Sequence, residues 1–417
     1  MTNDKKWEGH PRLRTAAETK PPAAEKVRPE MLERREFRRN KPWLVPANRF
    51  YFNSEASKDG IRHFVEGMGD TNPLFTNQEY ARKAKYGRII APGSYLYTIM
   101  WSSLSGGLPG LHEWYRPVFL GDEFKIVNVV RDLVIKKGRS TGGNIYIDYG
   151  DVIYVNQNDE IVGKELYHGV WVEREASGST GKYIATPKPK YGKEDWTRIL
   201  DMYDKEELRG SEPRYWEDVQ VGDKVGPMIK GPLSVRDEIA WLMGAGSPFF
   251  RAHKLEFDFE MRHPKAFEYV EELGEADVPE LVHIFDEYAR TIGIERAYDY
   301  GCQRMSWLCN LFTNWMGDDG FLWKMSGDER VFNQMGDITT FEGKVTKKYV
   351  EGGKYCVDIE AWGKNQRDEW SMPPHSSTVV LPSKEHGPVV YPDPAPGLVE
   401  EVKRARPLDE MIKEGLI

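Results

Sequence analysis

Residues 69–95 read GDTNPLFTNQEYARKAKYGRIIAPGSY, and their pattern decides the fold. The stretch GDTNPLF (69–75) is a loop of Gly, Asp, Asn and Pro, residue types that favour turns because they set the backbone angle or bond to amides two residues on. A polar helix follows at NQEYARKAKYG (77–87). The segment IIAPGSYLYTIMWSSL (89–104) then opens at Gly93 into a helix that is apolar nearly all round, which implies burial. Upstream, SKDGIRHFVEGMG (57–69) has helical spacing. Downstream come three strand-like runs, EFKIVNVVRDLVIKKG (123–138), GNIYIDYGDVIYVNQ (143–157) and EIVGKELYHGVWVER (160–174). Turn-forming Gly, Asn and Asp separate them, as in an antiparallel meander. One buried helix with a run of long strands makes the class α+β.

The same grammar recurs. EYAR stands at 79–82 and at 287–290, an offset of 208, and Gly93 and Gly301 are also 208 apart. Gly121-Asp122 and Gly336-Asp337 are 215 apart, preceded by Arg116 and Arg330. Helical stretches at 234–246, 282–293 and 297–317 and strand-like runs at 340–350, 354–365 and 376–383 complete the second copy. A repeat of this kind is one supersecondary unit stacked on its copy. The expected module is a helix lying in a curved antiparallel sheet, with the two sheets side by side. The division expected is an extended N-terminal arm (1–45) carrying a short helix at 29–39, a first module (46–176), a Gly/Ser/Pro/Lys-rich linker (177–212), a second module (213–382) with an acidic insertion near 254–280, and a C-terminal tail (383–417). The arm is expected to wrap a neighbouring surface, and arm and tail together allow two chains to join as a homodimer.

Composition narrows the function. The chain has 417 residues, 30% of them charged, with 13 Trp, 21 Tyr and 17 Phe, which excludes a disordered polypeptide poor in aromatics. Net charge is −8 and no basic block stands free of acids, so nucleic acid is not the expected partner. No run approaches the ~18 apolar residues of a membrane span. The three cysteines, Cys302, Cys309 and Cys356, form neither a disulfide framework nor a CxxC metal pair. The first residues lack an apolar signal region, and a cytoplasmic location is expected. His63, His112, His168, His253 and His263 have no metal-ligand spacing, so no metal is expected.

GDTNPLF resembles the signature loop of the MaoC-like hydratases and dehydratases, a hot-dog-fold family. The resemblance covers roughly 50–175 and 215–382 and implies a double hot-dog whose N-terminal half is related to fungal fatty-acid-synthase dehydratase modules. It further implies (R)-specific hydration of 2-enoyl thioesters, or the reverse dehydration of 3-hydroxyacyl thioesters, carried on coenzyme A or acyl carrier protein. The coenzyme A thioester is then substrate, and no metal or redox cofactor is needed. Carried over residue by residue, Asp70, Asn72 and Pro73 match the motif, but Phe75 stands in the histidine slot. Gly93 follows Phe75 by 18 residues, the family's spacing for an oxyanion glycine. Counting back 18 from Gly301 reaches His283, and five more reaches Val278, where the motif carboxylate belongs. Each half therefore departs from the pattern: one keeps the acid, the other the histidine.

Hydration needs a donor for the thioester oxygen, which a backbone amide at a helix start supplies, and groups that take and give protons, for which a carboxylate and a histidine serve. The resemblance and this chemistry select His283, Asp70, Gly301 and Asp277 as catalytic candidates, with Glu280, Asp286 and Asp299 as other nearby acids. Asn72, Gly93, Asp299, Tyr300 and Arg304 are the substrate-binding candidates. Each has a structural alternative: Asp70 and Asn72 as turn and cap residues, His283 as a satisfied histidine at a helix entrance, and the YDYGCQR cluster (298–304) as helix-start packing. Repeats about a pseudo-twofold place equivalent loops far apart, which argues against one site combining Asp70 with His283. Lys83, Lys85 and Arg88 read as a solvated helix face or as contacts for coenzyme A phosphates. Two rival functions stay open: an acyl-CoA thioesterase using Asp299, and a non-catalytic acyl-CoA-binding partner subunit.

Overall fold

The computed structural model describes residues 10, 13, 29–46, 51–100, 110–137, 144–172, 187–263 and 267–415. Helix α1 (Pro29–Arg38) and strand β1 (Trp43–Leu44) belong to the arm. The first module holds α2 (Lys58–Met68), α3 (Gln78–Lys83), α4 (Leu96–Ile99), β2 (Gly110–Trp114), β3 (Phe124–Lys137), β4 (Asn144–Asn156) and β5 (Ile161–Val172). Helix α5 (Lys193–Asp204) precedes the second module, which holds β6 (Lys224–Lys230), α6 (Val235–Ala245), α7 (Lys254–Arg262), α8 (Asp286–Thr291), α9 (Gly301–Met316), β7 (Phe321–Gly327), β8 (Thr339–Glu351), β9 (Lys354–Asn365) and β10 (Trp370–Val380). Helix α10 (Pro396–Arg404), β11 (Arg406–Pro407) and α11 (Leu408–Lys413) form the tail.

Among the described residues these strands make one eleven-stranded sheet, in the order β11-β1-β3-β4-β5-β2-β7-β10-β9-β8-β6. From the β2/β7 junction the order reads alike in both directions, so the copies are related by a pseudo-twofold. At the junction the strands are antiparallel, with Leu111 opposite Ser326 and Glu113 opposite Lys324. The side-by-side sheets expected from the repeat are thus a single sheet. Strand β8 shows the cause locally: Thr339, Phe341 and Val345 are buried while the intervening Glu342 and Lys344 are not, the two-residue period of a half-covered strand.

Helix α9 is the axis of the core. Cys302 through Met316 are all buried, and each large side chain among them, such as Trp307, Phe312 or Trp315, contributes about 1.5–3 kcal/mol by leaving water. Helices α2 and α6 cross at two glycines. A β-carbon on Gly244 would lie 2.5 Å from Phe64 Cα, and one on Gly67 would lie 2.6 Å from the Ala240 carbonyl oxygen. The pseudo-equivalent helices therefore touch backbone to backbone.

Two expectations change. Residues 177–212 are not all linker: α5 spans Lys193–Asp204. Ile199 packs with Ile229 and Ile338, Tyr191 donates to the Gly336 carbonyl at 2.7 Å, and Glu206 accepts from the Ile229 amide at 2.6 Å. Surrounding Gly, Pro and Lys hide the helical spacing of KEDWTRILDMYD. The last part of the arm (29–44) and the tail, moreover, cover this chain's own first module, while His10 meets Glu260 of α7 at 3.2 Å. Strand β1 pairs with β3 and, in parallel, with β11. Leu398 of α10 joins Val127, Val129, Ile153 and Val155 in a core on the outer face, and Arg131 grips Glu401 through two bonds of 2.7 Å. The arm helix falls where the sequence places it. The buried helix expected beyond Met100 lies outside the described residues, as does most of the arm before Pro29. Among the described residues no helix is long and apolar enough to cross a membrane.

Candidate active site

In the first module Gly69 ends α2 in the left-handed conformation, φ 69°, and turns the chain into the motif. Asp70 Oδ1 accepts from the Asn72 amide at 2.8 Å, and Asn72 Oδ1 accepts from the Leu74 amide at 2.9 Å, capping the turn Pro73–Phe75. Asn72 Nδ2 reaches across to Asp318 Oδ1 at 2.9 Å, and Tyr80 donates to the other Asp318 oxygen at 2.7 Å. Lys230 Nζ donates to the Gly69 carbonyl at 2.9 Å and to Asn310 Oδ1 at 2.8 Å. Burial raises the Asp70 carboxyl to about 6, against the pull of the Asn72 amide and Lys230. Phe75 is buried and can neither take nor give a proton. Gly93 opens the turn into α4, and its carbonyl accepts from Trp114 Nε1 at 3.0 Å. Asn72, Phe75, Gly93, Trp114, Cys309 and Asp318 line an apolar cleft of about 60 Å³.

In the second module His283 ends the 3-10 turn Pro279–His283. Its Nδ1 lies 2.9 Å from the Tyr298 carbonyl. A carbonyl only accepts, so Nδ1 carries the proton and Nε2 of the neutral ring holds the lone pair. Burial lowers its pKa to about 4, which keeps the ring neutral. It stacks on Tyr300 at 3.8 Å and meets Tyr298 edge-on at 4.7 Å. Glu280, three residues back, accepts from Ser247 Oγ and lies beside Tyr300. Burial raises its carboxyl to about 7. Gly301 is the first residue of α9, so its N–H has no partner within the helix. The carboxyl of Glu329 stands over it: a β-carbon on Gly301 would fall 2.5 Å from Oε1.

The other sequence candidates are placed differently. Asp277 sits at the end of a hairpin strand and accepts from its neighbour's amide, Val278, at 2.7 Å; Glu280 is the acid gathered with Tyr300 and Ser247. Asp299 and Arg304 hold each other, at 2.5 and 2.8 Å. Asn333 donates to the same Asp299 carboxylate at 2.9 Å. Arg304 also donates to the Val331 and Ser371 carbonyls at 2.8 and 3.1 Å, so this buried pair is committed to the protein. Asp70 groups with the Asn310 level of α9 and His283 with Tyr300 at its start. Ten residues at 1.5 Å each put about 15 Å between those levels. Of the phosphate candidates, Lys85 Nζ reaches the Asp319 carbonyl at 3.4 Å and Arg88 lies over the Phe119 ring at 3.9 Å.

Glu329, Ser247, Lys230 and Asp318 were not legible as site residues. Glu329 had a signal: it follows Trp114 by 215 residues, the offset of the Gly-Asp turns. Glu280 precedes His283 by three, the spacing that eclipses side chains in a 3-10 turn.

Comparison with known proteins agrees with this architecture. Residues 52–165 match the model of the FAS1-like dehydratase domain region. A UPF0336 protein of Streptomyces griseus subsp. griseus is 31% identical over 109 residues, 24% of this chain and 73% of the relative. Another, of Streptomyces avermitilis, is 24% identical over 123 residues, 26% of this chain and 79% of the relative. A solved MaoC-like dehydratase superposes with TM-score 0.55 at 15% identity, covering 84% of this chain and all of that one (100%). A MaoC domain protein dehydratase from Chloroflexus aurantiacus gives 0.51 at 12%, covering 83% and 96%. The chain belongs with the UPF0336 proteins, carries a FAS1-like dehydratase region in its first module, and has the double hot-dog fold of the solved MaoC-like dehydratases.

Proposed function

We propose that the protein hydrates 2-enoyl thioesters, or dehydrates 3-hydroxyacyl thioesters, at the second module. The observation that supports this most directly is His283: its Nδ1 is bound by the Tyr298 carbonyl, which leaves Nε2 as a base. In the hydration direction Nε2 takes a proton from water as the oxygen bonds to the β-carbon. Charge moves to the thioester oxygen, against the Gly301 N–H and the positive end of α9. Neutral Glu280 gives its proton to the α-carbon. A proton passing from His283 to Glu280 then restores both groups, and one water has been added. Water's oxygen and hydrogens are all that is added and no electrons pass to a carrier, so the acyl-CoA or acyl-carrier thioester is the substrate and no further cofactor is required. In the first module Phe75 replaces the base, and the cleft there shapes acyl binding.

The test is mass spectrometry of purified protein with short, long, aromatic and steroidal 2-enoyl-CoAs. A gain of one water, lost in His283→Ala, is expected; equal rates in both proteins sink the assignment. A second reading is thioester hydrolysis, favoured by the Glu329 carboxyl at the helix start. Release of free thiol, read with a thiol reagent, identifies it. A tight acyl-CoA complex without turnover makes the chain a binding subunit.

A further inference from the structure

We propose that Glu329 is a further catalytic residue of the second module: its carboxyl O–H joins the Gly301 N–H in holding the thioester oxygen as charge develops there. The inference rests on the hydratase reading of this module and adds a second donor to it.

Position is the first argument. A β-carbon on Gly301 would lie 2.5 Å from Glu329 Oε1 and 2.9 Å from Oε2, so the carboxyl covers the first residue of α9. Glu329 is only half-buried there. The pseudo-twofold supplies the second argument. Trp114, 215 residues earlier, covers Gly93 in the same way, 2.9 Å from where that β-carbon would be. Trp114 is buried and its Nε1–H is spent on the Gly93 carbonyl at 3.0 Å. One copy seals its glycine with a ring; the other places an ionisable group over it.

Packing does not explain an acid at this place. A carboxylate withdrawn even in part from water is held charged by a cation. Arg304 is near, but its guanidinium is occupied by Asp299 and by the Val331 and Ser371 carbonyls. The other titratable groups facing Glu329 are Asp299 before α9, Asp328 beside it, Cys302 of α9 and Tyr97 of α4; none of these is a cation. Burial, with Asp299 and Asp328 adding to it, raises the Glu329 carboxyl to about 7 against Arg304. A neutral carboxyl is a hydrogen-bond donor, whereas a carboxylate would repel the developing oxyanion.

The experiment compares wild type with Glu329→Gln and Glu329→Ala in the full chain, after matching thermal unfolding. Glutamine keeps a neutral donor, so its kcat is expected within about threefold of wild type, while alanine loses about 10²–10³-fold in kcat with a smaller change in KM, the size found for losing one oxyanion donor. A readout without turnover is the infrared carbonyl band of a bound saturated acyl-CoA labelled with carbon-13 at the thioester. The band is expected to shift to lower frequency in wild type and Gln and less in Ala. If Glu329→Ala leaves kcat and band unchanged while His283→Ala is inactive, the proposal fails and the hydratase reading stands. If Gln is as inactive as Ala, the donor role is overturned, because an amide donates but cannot relay a proton; thiol release in wild type would then make Glu329 a water-activating base. If wild type hydrates nothing but its band shift requires Glu329, the hydratase reading fails and the donor assignment survives. No band shift in wild type overturns the donor assignment.

Discussion

His283 and Glu280 set the expected pH response. The base must be unprotonated, which holds above about 4, and the acid protonated, which fails as pH rises through about 7. Hydration is therefore expected to follow a bell between those limits in a kcat–pH profile, and Glu280→Gln to abolish the protonation step at any pH. The buried Asp299–Arg304 pair belongs to stability instead. Asp299→Ala strands a buried guanidinium and is expected to cost about 3–5 kcal/mol in urea unfolding; unchanged stability with a raised KM would return both residues to substrate binding. Asp70 gives the opposite sign. Its folded pKa, about 6, lies above the ordinary 3.8, so the cost of ionising it in the fold is absent below about 4 and complete above about 6. Asp70→Asn should stabilise the protein at pH 8 by up to about 3 kcal/mol and not at pH 4, measured by thermal melts at both pH values. At this scale the sequence offered His283 as a candidate, through the spacing to Gly301 that the family resemblance implies. It ranked Asp277 above Glu280, because chain distance does not reveal which acid a 3-10 turn carries inward.

At the scale of elements, the α2–α6 crossing depends on two missing side chains. Gly244→Ala puts a methyl against the backbone of His63 and Phe64. Overpacking of this kind costs about 1–3 kcal/mol, and a lowered melting temperature checks it; an unchanged one means the helices part freely. Helix α10 is the cover of the outer face. Truncation before Pro396 exposes Val127, Val129, Ile153 and Val155 and leaves Arg131 without Glu401, so lower stability and increased dye binding by exposed apolar surface are expected. Strand runs and α2 were legible because their apolar periods are strong, and α9 because it is apolar nearly all round. Helix α5 was not: its window lies among Pro, Gly and Lys, and only contact with β6 gives its apolar face a place.

For the whole molecule, the β2/β7 junction makes the two modules one sheet. Expression of 46–186 and 187–415 as separate chains is expected to give unfolded or aggregating products, since each exposes a sheet edge, and co-expression to restore a soluble complex by size-exclusion chromatography. Well-folded separate halves would show that the junction adds little.

The sequence by itself determined the α+β class and the repeat, because periodicity and fixed offsets are properties of the chain alone, and the loop GDTNPLF carried the resemblance that implied a double hot-dog. It also showed that each half had lost one member of the motif. Tertiary structure alone decided the rest. The end of the arm (29–44) and the tail close over the first module. Asp299 is consumed by Arg304, Glu280 is the acid held with Tyr300 beside His283, and Glu329 covers Gly301. These are meetings between residues far apart in the chain or brought together by a local turn. Burial and neighbouring charge, which set each group's protonation, exist only once those meetings are made.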